Sequence, residues 1–587
     1  MPDRRAPLPS VDDPLLQPVA PVDVEPRGRS AVRTVAGGAV LIAAVTVLSR
    51  MVGFLRTLAF SHTVGTQALA DAYNTANQVP NTVFDIVAGG ALASVAVPLL
   101  AGPLARGERR DAEAIVSALL TWAVAVLLPL SVIGIVASGR LGDLLAGGHA
   151  PVGPYGATVA RFLVMFLPQI PLYGVAVVLS ATLQADRRFL APALAPLLSS
   201  VIVVSTYLVF GEVDPTAAGG ALTTDGTASE LFLGLGTTAG VATLALSLLP
   251  ALRRSGMRLR PRFRLPAGIA KRARGLAAAG IATLAAQNLV VLGVVVLTSH
   301  SHAADGALTV YTFSWAVYVL PYAVLAVPIA TTSFTELSAR SDDGDLAGFR
   351  AGVSATSRAV LIAACVGSAL LAATAWPMAY LFISAPTGPR PSMMAYGLLA
   401  FALGLPGYAA IAHLGRVLYA GGHGRDAATA TVIGWLTVLA ADVVLIWALP
   451  PTQAVAALGL GNAVGMTLAG VLLLVAARRR AGPGAFTGLA RAAAVGVIAA
   501  AAAGAAGWLV ASWIGPTGSA AALGTAALCG VIALLVFGAL VLALDDGDLR
   551  PLLARATDGL RGLGNVPALR RLVGSRRPRS VRAGGKR

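Results

Sequence analysis

Residues 70–100 read ADAYNTANQVPNTVFDIVAGGALASVAVPLL, and residues 308–337 read LTVYTFSWAVYVLPYAVLAVPIATTSFTEL. Each is an apolar run longer than the roughly 20 residues a helix needs to cross hydrocarbon. Each holds a proline at the matching place, Pro80 and Pro321, 241 residues apart. A charged loop follows both, LARGERRD in one case and SARSDDGD in the other, and then a further apolar run. The pair Leu167-Pro168 recurs as Leu405-Pro406, 238 residues on. Two landmarks at nearly one spacing predict tandem halves of six helices, parallel because the number per half is even. Halves around a shared cavity are the usual architecture for alternating access.

Working outward, apolar runs of membrane-spanning length fall at fourteen places between residues 36 and 544. The expected fold is therefore an all-α polytopic membrane protein: two six-helix lobes in pseudo-twofold arrangement plus two C-terminal helices. The connections alternate in basic content. Arg106, Arg109 and Arg110 follow the second run, Arg187 and Arg188 the fourth, and Arg253 to Arg274 the sixth. Arg478, Arg479 and Arg480 follow the twelfth, whereas 299–306, 211–230, 449–453 and 515–519 have no basic residue but histidine. Under the positive-inside rule the arginine-rich set is cytoplasmic, which places both termini inside. The expected organisation is a disordered cytoplasmic tail over 1–35, a first lobe over 36–251 and a basic cytoplasmic linker over 252–274. A second lobe over 275–477, appended helices over 478–544 and a basic cytoplasmic tail over 545–587 complete it.

Composition agrees. Only 12% of residues are charged against 56% hydrophobic, about half the charge of a soluble domain. The net charge of +17 sits in short segments between apolar runs, which argues for membrane topology and against a nucleic-acid partner. Cys365 and Cys529 both lie inside apolar runs and read as small core residues. Walker A, HExxH, CxxC and G-x-S-x-G patterns do not occur, so neither ATP hydrolysis, metal catalysis nor a nucleophile elbow is expected on this chain. No enzyme activity, cofactor or metal is expected, and His300 and His302 in an outer loop are too few to suggest one.

Charged groups inside spans are functional candidates, since each costs a few kcal/mol or more to place there. The first run holds Arg50 and Arg56. Six residues is about 600° of helix, so the two point about 120° apart. They either line one broad cavity or snorkel to headgroups. The second run opens on Asp71 and continues through Asn74, Asn77, Gln78 and Asn81, spaced i, i+3, i+4, i+7. That polar stripe on one helix face must meet protein or water rather than lipid. Asp85, one turn further, is expected to pair with Arg50 or Arg56. Asp442, flanked by long apolar stretches, reads either as a proton or sodium site or as a structural hydrogen-bonding group. Asp85 and Asp442 are the coupling or gating candidates. Gly461 and Gly465 form a GxxxG, which points to close helix packing.

The stretch LSRMVGFLR, then GTQALADAYNTANQVPN and GGALASVAVPLL, resembles the MurJ/MviN family of lipid II flippases. The residues that carry the resemblance are Ser49, Arg50, Gly53, Phe54 and Arg56; Asp71 and Ala72; Pro80 and Asn81; and Gly90, Ala91, Val97 and Pro98. The resemblance implies a fold related to multidrug exporters and translocation of a polyprenyl-pyrophosphate-linked peptidoglycan precursor to the outer leaflet. It implies that Arg50 and Arg56 hold the pyrophosphate, a task suited to a planar donor fork. Phe84 and Asp85 stand where many members carry arginines, and Trp315, Ala316 and Val317 where a basic residue is usual. The substrate, membrane lipids and regulatory proteins bound by the basic tails are the expected partners. A cation-coupled multidrug exporter, or a flippase for another polyprenyl-linked glycan, is the rival reading.

Overall fold

A computed structural model describes residues 48–49, 51–86, 99–100, 103–104, 106–147, 154–213, 222, 226–264, 269–383, 389–515 and 518–544, without the side chains of 269–281 and 483. The expected tails over 1–35 and 545–587, Arg50, and the Gly90 to Pro98 part of the motif lie outside the described residues. The helices are α1 (51–63), α2 (Ala68–Phe84), α3 (Arg109–Val136), α4 (Ser138–Ala146), α5 (Pro154–Phe166), α6 (Gln169–Ala185), α7 (Leu190–Val213), α8 (Ala228–Leu246) and α9 (Leu249–Ser255). The second half holds α10 (Ile269–His300), α11 (Ala307–Pro321), α12 (Val327–Asp342), α13 (Leu346–Phe382), α14 (Pro391–Ala420), α15 (Gly424–Ala448) and α16 (Ala454–Ala481). The appended pair is α17 (Leu489–Ile514) and α18 (Ser519–Leu544).

Twelve spans among the described residues are long and apolar enough to cross a membrane. Helices α1 and α2 lie in the remaining two of the fourteen apolar runs. Large side chains such as Ile133, Val136, Leu235, Val444, Trp513 and Leu535 are more than half exposed around the belt. Water would not tolerate so much contiguous apolar surface, and lipid does.

The internal repeat is written into the backbone. Pro80 lies in α2, and the π-helical residues 85–86 follow it; Pro321 ends α11, and a π-turn over Tyr322–Ala326 follows. The missing proline N–H disrupts the i→i−4 ladder, and the helix absorbs the offset as a wider turn. The second landmark needs a correction of register. Leu167-Pro168 breaks the fourth span into α5 and α6, whereas Pro406 sits inside the unbroken α14. The equivalent of Pro406 is Pro171. The carbonyl of Leu167, four residues before Pro171, accepts the Ser131 hydroxyl at 2.8 Å. The carbonyl of Ala402, four residues before Pro406, accepts the Ser368 hydroxyl at 2.7 Å. A serine on the preceding span thus satisfies a carbonyl that proline cannot reach in each half. Two residues on, Tyr173 donates to Asn81 Oδ1 at 3.2 Å, and the Tyr408 ring lies tilted against Tyr322 with centroids 4.2 Å apart.

Small residues let the second lobe pack tightly. A β-carbon on Gly465 would lie 2.6 Å from the Gly434 carbonyl, and one on Gly407 would collide with that of Met466. The GxxxG is therefore packing, as its spacing suggests. Helices α17 and α18 join through α13, where Cys365, Ala369 and Ala373 meet Val495, Ala499, Ala533 and Phe537. Both cysteines are buried and free.

Candidate functional site

The two lobes meet differently at their two ends. At the arginine-poor end Asp71, in the first turn of α2, faces the N-terminus of α11 in the other lobe. Its Oδ2 accepts the Gly306 N–H at 2.9 Å; its Oδ1 accepts the Thr309 N–H at 2.9 Å and the Thr309 hydroxyl at 2.5 Å. Asn74, one turn along, donates to Thr309 Oγ1 at 3.0 Å. A carboxylate from α2 is thus the cap of α11, which has no cap of its own because Gly306 precedes it. The partial positive charge of a helix N-terminus favours that anion. Gly306 has φ +80°, and a β-carbon there would collide with the Thr66 carbonyl in the loop before α2. Only glycine fits both the left-handed backbone and the close approach.

Behind this seam lies an aromatic plug. Phe60 of α1 contacts Phe313 of α11, with ring centroids 6.1 Å apart, and Phe313 contacts Phe382 of α13 at 5.3 Å. Phe54 meets Phe382 edge-on at 5.6 Å. The largest buried cluster runs through these rings from one lobe into the other, so this end is closed.

The arginine-rich end has a cavity of about 490 Å³ where α2, α6, α7 and α8 of the first lobe face α10 of the second. Its walls are mainly apolar, Phe84 and Pro196 among them, with Asp85, Ser180, Gln184 and Gln287 as the polar groups. The opening is on the same side as Arg187, Arg188 and Arg253.

Of the stripe residues, Asn74 is in the seam, and Asn81 accepts Tyr173 deeper in the first lobe. Gln78 reaches Thr82 Oγ1 at 3.5 Å, and Asn77 is half-buried. Arg56 is exposed on α1, and Asp85 lines the cavity. Among the described residues Asp85 has no salt bridge with Arg56; Arg50, the other expected partner, lies outside them.

Other polar intrusions resolve into structural contacts. Arg161 binds Glu230 at 2.8 Å, Gln169 donates to Thr238 at 2.8 Å, and His302 meets the Leu449 carbonyl at 3.1 Å. Asp442 is 1% exposed, with no hydrogen-bond partner for Oδ1, and that oxygen lies so close over Gly461 that a β-carbon there would collide with it. Asn462, next to Gly461, and Asn288 on α10 also have unpartnered buried oxygens. Such acceptors can take a proton or a cation.

Sequence reasoning did not reach Gly306, Thr309 or Tyr173, because each acts across more than 90 residues and none breaks a local pattern. It also missed the aromatic wall of the second lobe. Trp315, where the family pattern would put a cation nearby, packs among Tyr318, Phe401 and Tyr408.

A family model described as lipid II flippase MurJ matches residues 60–554. A probable lipid II flippase MurJ of Rhizobium meliloti is 26% identical over 313 residues, covering 52% of this chain and 55% of the relative. One from Synechocystis sp. is 30% identical over 250 residues, covering 41% and 45%. The chain thus spans about half the length of the curated relatives it matches. Among solved structures, a lipid II flippase MurJ in an inward closed conformation superposes with a TM-score of 0.68 at 16% identity, covering 88% of this chain and 100% of that one. An inward-facing multidrug resistance MATE family transporter of the MOP superfamily gives a TM-score of 0.62 at 12% identity, covering 75% and 98%. At these identities the structural likeness concerns the fold.

Proposed function

We propose that this chain, which belongs to the lipid II flippase MurJ family, moves a polyprenyl-pyrophosphate-linked peptidoglycan precursor from the inner to the outer leaflet by alternating access. The family is one of transporters rather than catalysts, and the chain is a multi-pass membrane protein. The reading further places it in a bacterial plasma membrane with both termini cytoplasmic, and keeps the lobe boundaries at 36–251 and 275–477.

The observation that carries the reading is the asymmetry of the seam. One end is held shut by Asp71 on the Gly306 and Thr309 donors, and the other opens into a mainly apolar cavity, carrying Asp85, Ser180, Gln184 and Gln287, beside the arginine-rich loops. This is the geometry of a carrier loading from the cytoplasm. Arg50 and Arg56 contact the pyrophosphate, Asn74, Asn77, Gln78 and Asn81 line the path, and Asp71 gates it. Asp85 holds a negative charge at the cavity mouth, and Asp442 is the coupling candidate. Vesicle flipping assays on Arg50→Ala and Arg56→Ala test the phosphate role, which fails if both variants translocate at the wild-type rate.

The buried Asp442, whose Oδ1 has no hydrogen-bond partner, supports the rival reading of a cation-coupled exporter. Drug-efflux measurements in a sensitised host separate the two: protection against amphipathic cations would favour the exporter.

A further inference from the structure

Between α9 and the end of the first described half runs an extended segment, residues 257–264, MRLRPRFR. It lies along α3 in a regular zipper. The Arg258 N–H donates to Glu113 Oε1 at 3.0 Å, the Arg260 N–H to Ser117 Oγ at 3.1 Å and the Arg262 N–H to Thr121 Oγ1 at 2.9 Å. Two extended residues advance about 6.7 Å and one helical turn about 5.4 Å, so alternate N–H groups meet acceptors spaced i, i+4, i+8. Trp122 closes the zipper, donating to the Phe263 carbonyl at 2.9 Å with the two rings 5.5 Å apart.

Side chains along an extended strap alternate. Leu259 packs against the buried clusters of α3, α6 and α8, and Phe263 meets Trp122 edge-on. Arg258, Arg260, Arg262 and Arg264 fall on the other side, all four exposed. None of them has an ion-pair partner among the described residues; the Glu113 carboxylate is engaged by backbone, Glu108 by Arg106 and Asp186 by Arg188. Pro261 removes one of the N–H groups that would point away from α3, so the free edge is a poor template for a peptide strand.

The position of this comb selects its partner. From Glu113 to Thr121 the strap climbs about 12 Å along α3, more than the depth of a headgroup layer. Helix α3 is peripheral, with Val126, Val132, Ile133 and Val136 more than half exposed. Trp122 and Phe263, each about half exposed, occupy the level where aromatic side chains mark the membrane–water boundary. We infer that the four-arginine comb on the 257–264 strap binds the anionic phospholipid headgroups of the cytoplasmic leaflet and seats the first lobe against them. The inference rests on the membrane topology proposed above and not on the identity of the substrate.

The test uses the full chain reconstituted in bilayers of equal phosphatidylglycerol and phosphatidylcholine, each spin-labelled in turn. The fraction of each lipid immobilised by the protein is read by electron paramagnetic resonance. An arginine near an anionic surface is worth up to about a fivefold preference, diluted here because many lipids share the perimeter. The wild type should immobilise phosphatidylglycerol in preference, and R258Q/R260Q/R262Q/R264Q should lower that preference about twofold or more. The matching lysine variant should keep it, and high salt should erase it. The half-variants R258Q/R260Q and R262Q/R264Q should each give part of the loss, which preserves the test if the quadruple variant misfolds. Unchanged selectivity in the glutamine variants overturns the proposal. So does a wild type without selectivity whose comb is nonetheless required in cells, since that would assign it to an acidic protein.

Discussion

Replacing Asp71 by asparagine should open the arginine-poor end. The carboxylate accepts three hydrogen bonds from the α11 N-terminus, on two oxygens. Asparagine keeps the shape but has one acceptor oxygen and no charge. The loss is at least one charge-assisted bond, about 1.5–3 kcal/mol, and about 0.5 kcal/mol of helix-terminus attraction. A shift of about 2–3.5 kcal/mol moves a two-state equilibrium about 30- to 400-fold. The assay is a pulsed electron-electron distance between spin labels at Arg140→Cys and Arg390→Cys, both exposed and at the same end of different lobes. Cys365 and Cys529 are replaced by alanine in that background. The wild type should give one short distance, and Asp71→Asn should add or substitute a longer one. An identical distribution in both would refute the idea that this carboxylate holds the seam.

Further outcomes follow from the same geometry. Gly306→Ala should reproduce the opening in the same distance measurement, because its β-carbon would press on the Thr66 carbonyl and its φ of +80° disfavours any other residue. Ser131→Ala should lower the unfolding free energy by about 1 kcal/mol, measured in detergent, by leaving the Leu167 carbonyl with the Ile170 N–H at 3.1 Å and without the serine hydroxyl. The cost should shrink when Pro171→Ala restores an N–H, and the Ser368 and Pro406 pair should behave alike. Gly461→Ala should cost about 1–3 kcal/mol in thermal unfolding by pressing on Asp442. The double variant with Asp442→Ala should recover part of it.

The helices were legible because each span must be apolar for about 20 residues whatever it packs against. The polar stripe of α2 was legible for the same reason, since lipid forbids it. What the stripe touches was not. Asp71 finds Gly306 and Thr309 some 235 residues away, and nothing local distinguishes Thr309 from Thr312 one turn on. The expected pairing of Asp85 with Arg56 is absent among the described residues, and Arg50, the other expected partner, lies outside them. The proline register went astray by three residues because Pro168 and Pro171 are equally plausible partners for Pro406 in sequence. Which one corresponds is decided by the serine of a neighbouring span that binds the carbonyl four residues earlier.

The central claim is that the chain carries a lipid-linked peptidoglycan precursor outward. It is tested most directly by expressing the chain in bacteria whose own flippase can be depleted and measuring precursor exposed on the outer leaflet. The account predicts that exposure and growth are restored by the wild type and lost together in Arg56→Ala. Growth without restored outer-leaflet precursor, or neither under good expression in the membrane, would contradict it.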